Sequence, residues 1–185
     1  MSHAECTRTG LFKKIPFVLF VYYKLATFVP AFIGIYAIVL YAESLLWVGG
    51  YILIFLVHMS IIYKMKCTHC SYYMLPGDKL HCMWLWGVPK IFEANSDPES
   101  RFNKLYVPLG MAIVAFFPVY WLLNNWALLV LYFVSIAVLV SSLFLFTCSK
   151  CTYFGCTHNQ VSQELRDSYM ANNANSADAK SRAAD

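Results

Sequence analysis

Three long stretches of the sequence carry no charged residue, and they restrict what the chain can fold into. They cover residues 25–42, 44–63 and 105–149. A helix that crosses a bilayer needs roughly 20 apolar residues, so each of the first two stretches predicts one membrane-spanning helix. The third is long enough for two, and Asn124 and Asn125 near its middle mark the turn between them.

The sequence therefore predicts an all-α integral membrane protein with four transmembrane helices, near residues 25–42, 45–63, 105–123 and 126–147. A content of 59% hydrophobic and 13% charged residues leaves too little polar surface for a water-soluble globule. We expect residues 15–23 to lie in the membrane interface before the chain turns inward at Lys24. A longer, tilted first helix that begins near Ile15 is the alternative.

The basic residues predict the orientation. All 14 Lys and Arg lie before the first helix, between the second and third, or after the fourth. The connections around Glu43 and Asn124 contain none, so the positive-inside rule predicts a multi-pass protein with both termini and the central loop in the cytoplasm. Basic residues beside membrane helices serve topology and anionic lipid, and the net charge of +4 requires no nucleic acid as a partner.

The two halves of the chain share a pattern. Each has a basic residue, a Val-Pro pair (Val29-Pro30 and Val107-Pro108), two apolar spans, and a CxxC motif followed by a small residue, Tyr and an aromatic residue. The matching motifs cover residues 67–73 and 148–154. This agreement predicts two tandem-repeated helical hairpins related by a pseudo-two-fold axis along the membrane normal.

The expected organisation has five parts. They are a cytoplasmic or interfacial N-terminal segment (1–24), a first hairpin unit with its CxxC (25–82), an interfacial cytoplasmic loop (83–104), a second hairpin unit with its CxxC (105–156), and a cytoplasmic tail (157–185). Within the tail, residues 161–170 are compatible with a short surface helix. Residues 171–185, rich in Ala, Asn, Ser and Asp, are expected to be disordered.

Six cysteines follow the helices on the predicted cytoplasmic side and form the candidate metal site: Cys67, Cys70, Cys82, Cys148, Cys151 and Cys156. A CxxC motif directs two thiolates to one ion at about 2.3 Å, and a second motif completes a tetrahedral site. Permanent disulfides are unusual in the reducing cytoplasm. We therefore predict that the two CxxC motifs share one ion, with zinc favoured and an iron–sulfur cluster as the alternative.

A four-cysteine zinc site leaves Cys82 and Cys156 unused. Three-cysteine sites completed by histidine are thus a second possibility, with His69 or His81 in the first group and His158 in the second. The cysteine spacing does not match the compact bacterial ferredoxin pattern, which weighs against a conventional four-iron cluster.

Other interpretations of the cysteines are lipidation, simple burial, or a thiol–disulfide relay. No grouping of Ser, His and acidic residues suggests hydrolysis and no glycine-rich loop suggests phosphate binding, so no catalytic residue is assigned and an enzyme is not expected. His58 is the one histidine inside a predicted span, where it could support a helix contact or line a ligand pocket.

The favoured function is a membrane scaffold, docking or anchor subunit with a metal-bound cytoplasmic face. The alternatives are an iron–sulfur electron carrier, a thiol–disulfide redox protein or a soft-metal-handling protein. The bilayer is the certain partner of such a chain, and a membrane or cytoplasmic protein or a second copy of the chain is the expected further one.

Overall fold

The computed structural model describes residues 10–12, 14–95, 100–156 and 158–182, with side chains as far as residue 172. Within these residues it is mostly helical, and four helices are long and apolar enough to cross a membrane. They span Phe17–Tyr41, Leu46–His69, Arg101–Leu122 and Trp126–Lys150. The prediction of four helices long and apolar enough to cross a membrane is confirmed.

The regular elements follow one another in a simple order. They are α1 (Phe17–Tyr41), α2 (Leu46–Met65), β1 (Lys79–His81), β2 (Trp86–Pro89), α3 (Arg101–Phe116), α4 (Val119–Leu122), α5 (Trp126–Ser142) and α6 (Gln163–Arg182). After α2 comes a 3-10 turn over Cys67–His69. After α5 come a π-helical turn over Leu143–Thr147 and a 3-10 turn over Cys148–Lys150.

The first helix begins earlier than residue 25, so the prediction that residues 15–23 lie apart from it in the interface is wrong. The longer helix is the one that forms, and Lys24 lies inside it. Pro16 occupies the N-cap position, where its fixed φ suits a helix entry. The Lys24 ammonium lies 5.7 Å from the centre of the Phe20 ring, so the charge is held on the helix surface without ending the helix.

The central loop contains a small antiparallel strand pair that the all-α expectation did not include. Strand β1 pairs with β2, with Lys79 opposite Pro89 and His81 opposite Trp86. Leu80, the central residue of β1, is buried. The tyrosine that precedes the CxxC at the end of α2, Tyr63, donates its hydroxyl to the Pro89 carbonyl at 2.6 Å and so fastens the strand pair to α2.

The helices pack across the two hairpins. Helix α1 has its most extensive contact with α5, and α2 packs against α3. Their shared core consists of Ala37, Ile38, Tyr51, Trp121, Leu122, Leu129 and Tyr132. Gly34 lies where an added Cβ would come within 3.1 Å of Pro118, and this small residue lets the two segments approach closely. Most other large apolar side chains on these helices point outward, as lipid contact requires.

One end of the helix bundle carries both CxxC motifs, and we call it the cysteine end. There the Tyr23 hydroxyl of α1 donates to the Ser142 carbonyl at 3.0 Å and lies 2.7 Å from the Thr147 hydroxyl. The Asn103 amide of α3 donates to the Met65 carbonyl at 3.1 Å. The first helix of each hairpin thus holds the end of the other hairpin's second helix.

Helix α6 extends to Arg182, into the segment expected to be disordered from residue 171. Four alanines between residues 171 and 179 supply helix propensity there. Residues 183–185 lie outside the described part of the chain.

Candidate functional site

The two CxxC motifs adopt the same backbone conformation. The residue before each 3-10 turn has φ −108° and ψ −44° at Lys66, and φ −105° and ψ −49° at Thr147. The cysteine that closes each turn has φ −79° and ψ 138° at Cys70, and φ −82° and ψ 130° at Cys151. Because no angle differs by more than 8°, the two cysteines of each motif leave the backbone in closely similar directions.

Both closing cysteines accept a hydrogen bond from a backbone N–H two residues later. Tyr72 donates to the Cys70 sulfur. Tyr153 donates to the Cys151 sulfur, with the nitrogen 3.5 Å from it. A hydrogen bond to sulfur stabilises the thiolate relative to the thiol. The residues after each CxxC therefore stabilise the charged, metal-binding form of the closing cysteine in the same way in both motifs.

The cysteine outside the first motif, Cys82, lies in the connection between β1 and β2. Its backbone N–H donates to the Leu85 carbonyl at 3.0 Å, and its sulfur accepts the Leu85 N–H at 3.3 Å. A second backbone N–H, from Trp84, also points to this sulfur. The strand pair thus places Cys82 at the cysteine end, where its sulfur accepts backbone N–H hydrogen bonds as the closing cysteines do.

The cysteine outside the second motif, Cys156, lies in a loop that folds back onto that motif. The Asn159 side-chain amide donates to the carbonyl oxygens of Cys151 at 2.9 Å and Tyr153 at 3.0 Å. The Gln160 N–H donates to the Cys148 carbonyl at 3.1 Å. These bonds hold the loop against its own CxxC.

The two motifs also contact each other. The hydroxyl oxygens of Ser71 and Thr152, which directly follow the closing cysteines, lie 3.4 Å apart. The N-terminal segment joins the two: the Phe12 N–H donates to the Lys150 carbonyl at 3.0 Å. The Phe12 carbonyl accepts the hydroxyls of Tyr72 at 3.4 Å and Thr152 at 3.5 Å. One residue of the N-terminal segment therefore binds both CxxC segments.

The six sulfurs form two neighbouring groups. In the first triad every pair of thiols is close enough to interact electrostatically, and the same holds in the second. Between the triads, Cys70 interacts with Cys151. The first triad is Cys67, Cys70 and Cys82, and the second is Cys148, Cys151 and Cys156.

Burial raises the pKa of Cys70, Cys82 and Cys151. The backbone N–H bonds to each sulfur act in the opposite direction. For Cys70 and Cys151, negative charge on neighbouring thiols adds to the increase in pKa. Without a cation these thiols stay protonated at neutral pH, so the thiolate form requires a positive charge among them.

Lysines lie close to both triads. Lys66 is near Cys67 and Cys148, one from each triad. Lys24 is near Cys82 and lowers its pKa, although by less than burial raises it. These charges can partly offset the negative charge of a thiolate centre.

The three candidate histidines have different surroundings. The His69 Nδ1 lies 3.2 Å from the Thr68 hydroxyl. His81 contacts Trp86 edge to face, with 4.9 Å between ring centres. His158 is exposed and has its ring centre 5.9 Å from that of Phe144. Each of the three is close in the sequence to the cysteines with which it is predicted to bind an ion.

Among the described residues, no three or more His, Cys, Asp or Glu side chains stand together closely enough to hold one ion as they are placed. The predicted convergence of Cys67, Cys70, Cys148 and Cys151 on a single ion stays a prediction. The fold brings the cysteines into two groups of three, with Cys70 and Cys151 close enough to interact electrostatically.

Sequence reasoning did not identify Phe12 or Tyr72 as residues of this site. Both are buried, and with Ile15 they form a hydrophobic cluster against which Cys70, Cys82 and Cys151 pack. A signal was present: Tyr72 belongs to the pattern repeated after each CxxC.

Comparison of the chain with family models, with curated proteins and with solved structures finds no match.

Proposed function

We propose that this chain is a membrane scaffold whose cytoplasmic face is held together by a zinc–thiolate centre. The observation that carries the proposal is the pair of CxxC turns, which share one backbone conformation and touch through Ser71 and Thr152. A CxxC turn places two sulfurs for one ion, and such sites contribute folding free energy directly.

The geometry supports one ion in each triad better than one ion shared by both motifs. Within each triad every pair of thiols interacts electrostatically, whereas between the triads Cys70 interacts with Cys151. Three thiolates and one neutral histidine complete a tetrahedral zinc site. His69 or His81 serves the first triad and His158 the second.

Charge supports the same arrangement. Zinc with three thiolates and one histidine carries roughly one negative charge. Lys66 lies near cysteines of both triads and Lys24 lies near Cys82, so each site has a compensating ammonium close by. The raised pKa of Cys70, Cys82 and Cys151 also means that a cation is needed to keep these sulfurs ionised.

Two tandem hairpins related by a pseudo-two-fold axis along the membrane normal account for the paired site. Reciprocal contacts support this relation: Tyr23 of α1 bonds to the end of α5, and Asn103 of α3 bonds to the end of α2. These residues directly precede Lys24 and Lys104, which hold equivalent places in the two halves. Each hairpin thereby fixes the position of the other's CxxC.

The cysteine end faces the cytoplasm in this proposal. All 14 Lys and Arg lie within residues 1–24, 64–104 or 150–185, and the connections at the opposite end have none. The centre then presents a rigid surface, closed by the N-terminal segment through Phe12, to a cytoplasmic protein, a membrane protein or a second copy of the chain.

Metal analysis of protein purified without oxygen tests the proposal. A colourless protein with about two zinc ions per chain is the expected result. Iron with visible absorbance would replace the scaffold by an iron–sulfur electron carrier. Metal-free protein with cysteines that cycle between thiol and disulfide would support the redox relay instead.

A further inference from the structure

A second candidate site lies within the membrane-spanning region, between α2 and α3. A cavity of about 310 Å³ opens there, lined by apolar side chains of both helices and by His58 and Tyr106. Leu53, Val57 and Leu109 line it and are also exposed on the outer surface of the bundle. The cavity therefore opens toward the space that lipid occupies.

His58 lines this cavity together with Tyr106, and its ring nitrogens have no hydrogen-bond partner among the described residues. Its side chain is 3% exposed, and both ring nitrogens are buried without a partner in the described part of the chain. A buried imidazole normally has its nitrogens hydrogen-bonded. An ionisable residue within a membrane span is by default a candidate for function.

The neighbouring backbone provides the room for this ring. At Gly110 an added Cβ would overlap the His58 ring. The Tyr106 ring of α3 stands 5.7 Å from the imidazole, centre to centre. A glycine on α3 is thus what permits a histidine to stand between the two helices.

The second half of the chain has an apolar residue at the matching sequence position. His58 precedes Cys67 by nine residues, and Leu139, which is buried, precedes Cys148 by the same number. Histidine in the first half is therefore a departure from the sequence pattern of the second half.

We propose that this cavity binds a lipid-soluble carbonyl compound of the quinone class, and that the His58 ring turns toward this ligand so that one of its buried nitrogens gains a partner. A neutral imidazole donates one N–H to a quinone carbonyl, and its other nitrogen can accept the hydroxyl of the reduced form. The apolar lining contacts the ring and tail, and the ligand enters from the bilayer. The cavity is separate from the thiol triads, so this proposal does not depend on the metal centre.

Binding of decylubiquinone to the purified full-length protein in phosphatidylcholine nanodiscs tests this, with empty nanodiscs subtracted. His58→Leu should weaken binding by about tenfold because it removes the hydrogen bond but keeps the volume. His58→Gln should retain part of the affinity, since its amide can still donate. Gly110→Ala should also weaken binding by pressing on the ring.

Two controls separate hydrogen bonding from general partitioning. Decylbenzene has the tail and ring without carbonyls, and it should bind weakly and equally to wild type and His58→Leu. Val134→Ala, which trims an exposed apolar side chain on α5, should leave decylubiquinone binding unchanged. Equal affinity of decylubiquinone for wild type, His58→Leu and His58→Gln would overturn the proposal. So would decylbenzene binding as tightly as decylubiquinone.

Discussion

The hydroxyl oxygens of Ser71 and Thr152 lie 3.4 Å apart, although 81 positions separate them in the chain. Each residue directly follows the closing cysteine of its CxxC. Their contact joins two turns of the same backbone conformation into one unit at the cysteine end. Each turn thereby helps to fix the position of the other.

The number of bound ions should respond additively to loss of one cysteine from each triad. Cys67→Ser and Cys148→Ser should each lower the zinc content from about two ions per chain to about one, and the double replacement to about none. Elemental analysis of protein purified without oxygen measures this. Independent sites add in this way, whereas ligands of one ion do not.

Cys6→Ser is the matched control for this series. Cys6 belongs to residues 1–9, outside the described part of the chain, and neither triad includes it. Its replacement should leave the zinc content unchanged. Complete loss of zinc on replacing Cys67 alone, with no effect of Cys82→Ser, would instead establish one ion shared by the two CxxC motifs.

The four spans could be predicted from the sequence because hydrophobic length is a local property. The charge-free stretches contain most of the length of the helices that the structure forms. The favoured prediction started α1 too late because it interpreted Lys24 as the boundary between an interfacial segment and the first helix. Its charge is accommodated by contact with Phe20, one turn earlier on the same helix, and a count of charges does not include such a contact.

The site was predictable in its cysteines but not in its arrangement. CxxC spacing is visible in the chain, whereas the neighbours of Cys82 depend on the short strand pair formed by β1 and β2. The role of Phe12 depends on its hydrogen bond to the Lys150 carbonyl, and Lys150 is distant from Phe12 in the sequence. Both features arise from tertiary packing of short segments that have weak local signals.

The Tyr72 hydroxyl should stabilise the N-terminal segment at the site. Tyr72→Phe removes its hydrogen bond to the Phe12 carbonyl. We expect the free energy of opening at the Phe12 amide, which donates to Lys150, to fall by about 1 kcal/mol. Hydrogen exchange at that amide measures the change.

Tyr73→Phe is the control for this replacement. The Tyr73 hydroxyl donates to the Phe92 carbonyl at 2.6 Å, so its loss should loosen the loop after β2 and leave the Phe12 amide protected. Equal acceleration of exchange at Phe12 in both variants would show that the effect is a general loss of stability.

The Tyr23 hydroxyl should contribute to the stability of the whole bundle. It lies 2.7 Å from the Thr147 hydroxyl and donates to the Ser142 carbonyl, so Tyr23→Phe removes polar contacts between α1 and the end of α5. Hydrogen bonds between membrane helices contribute about 0.6 kcal/mol on average. Because Tyr23 is buried, we expect a loss of about 1 kcal/mol in equilibrium unfolding from detergent.

The adjacent Tyr22 provides the comparison. Its side chain is 40% exposed, and Tyr22→Phe should change the free energy of unfolding by less than about 0.5 kcal/mol. If both replacements had the same effect, the contact between α1 and α5 would not depend on the buried hydroxyl.

The cysteine end should face the cytoplasm, because every Lys and Arg lies within residues 1–24, 64–104 or 150–185 and the connections at the opposite end have none. The opposite end carries Glu43, an exposed residue between α1 and α2. In a variant with every native cysteine replaced by serine, Glu43→Cys should react with a membrane-impermeant maleimide added to intact cells. Restoring Cys82 instead should give a protein that reacts only after the membrane is permeabilised.

Labelling of Cys82 in intact cells, with no labelling of the Glu43→Cys variant, would show the opposite orientation. The six thiols would then face an oxidising compartment, where disulfide chemistry is favoured over zinc binding.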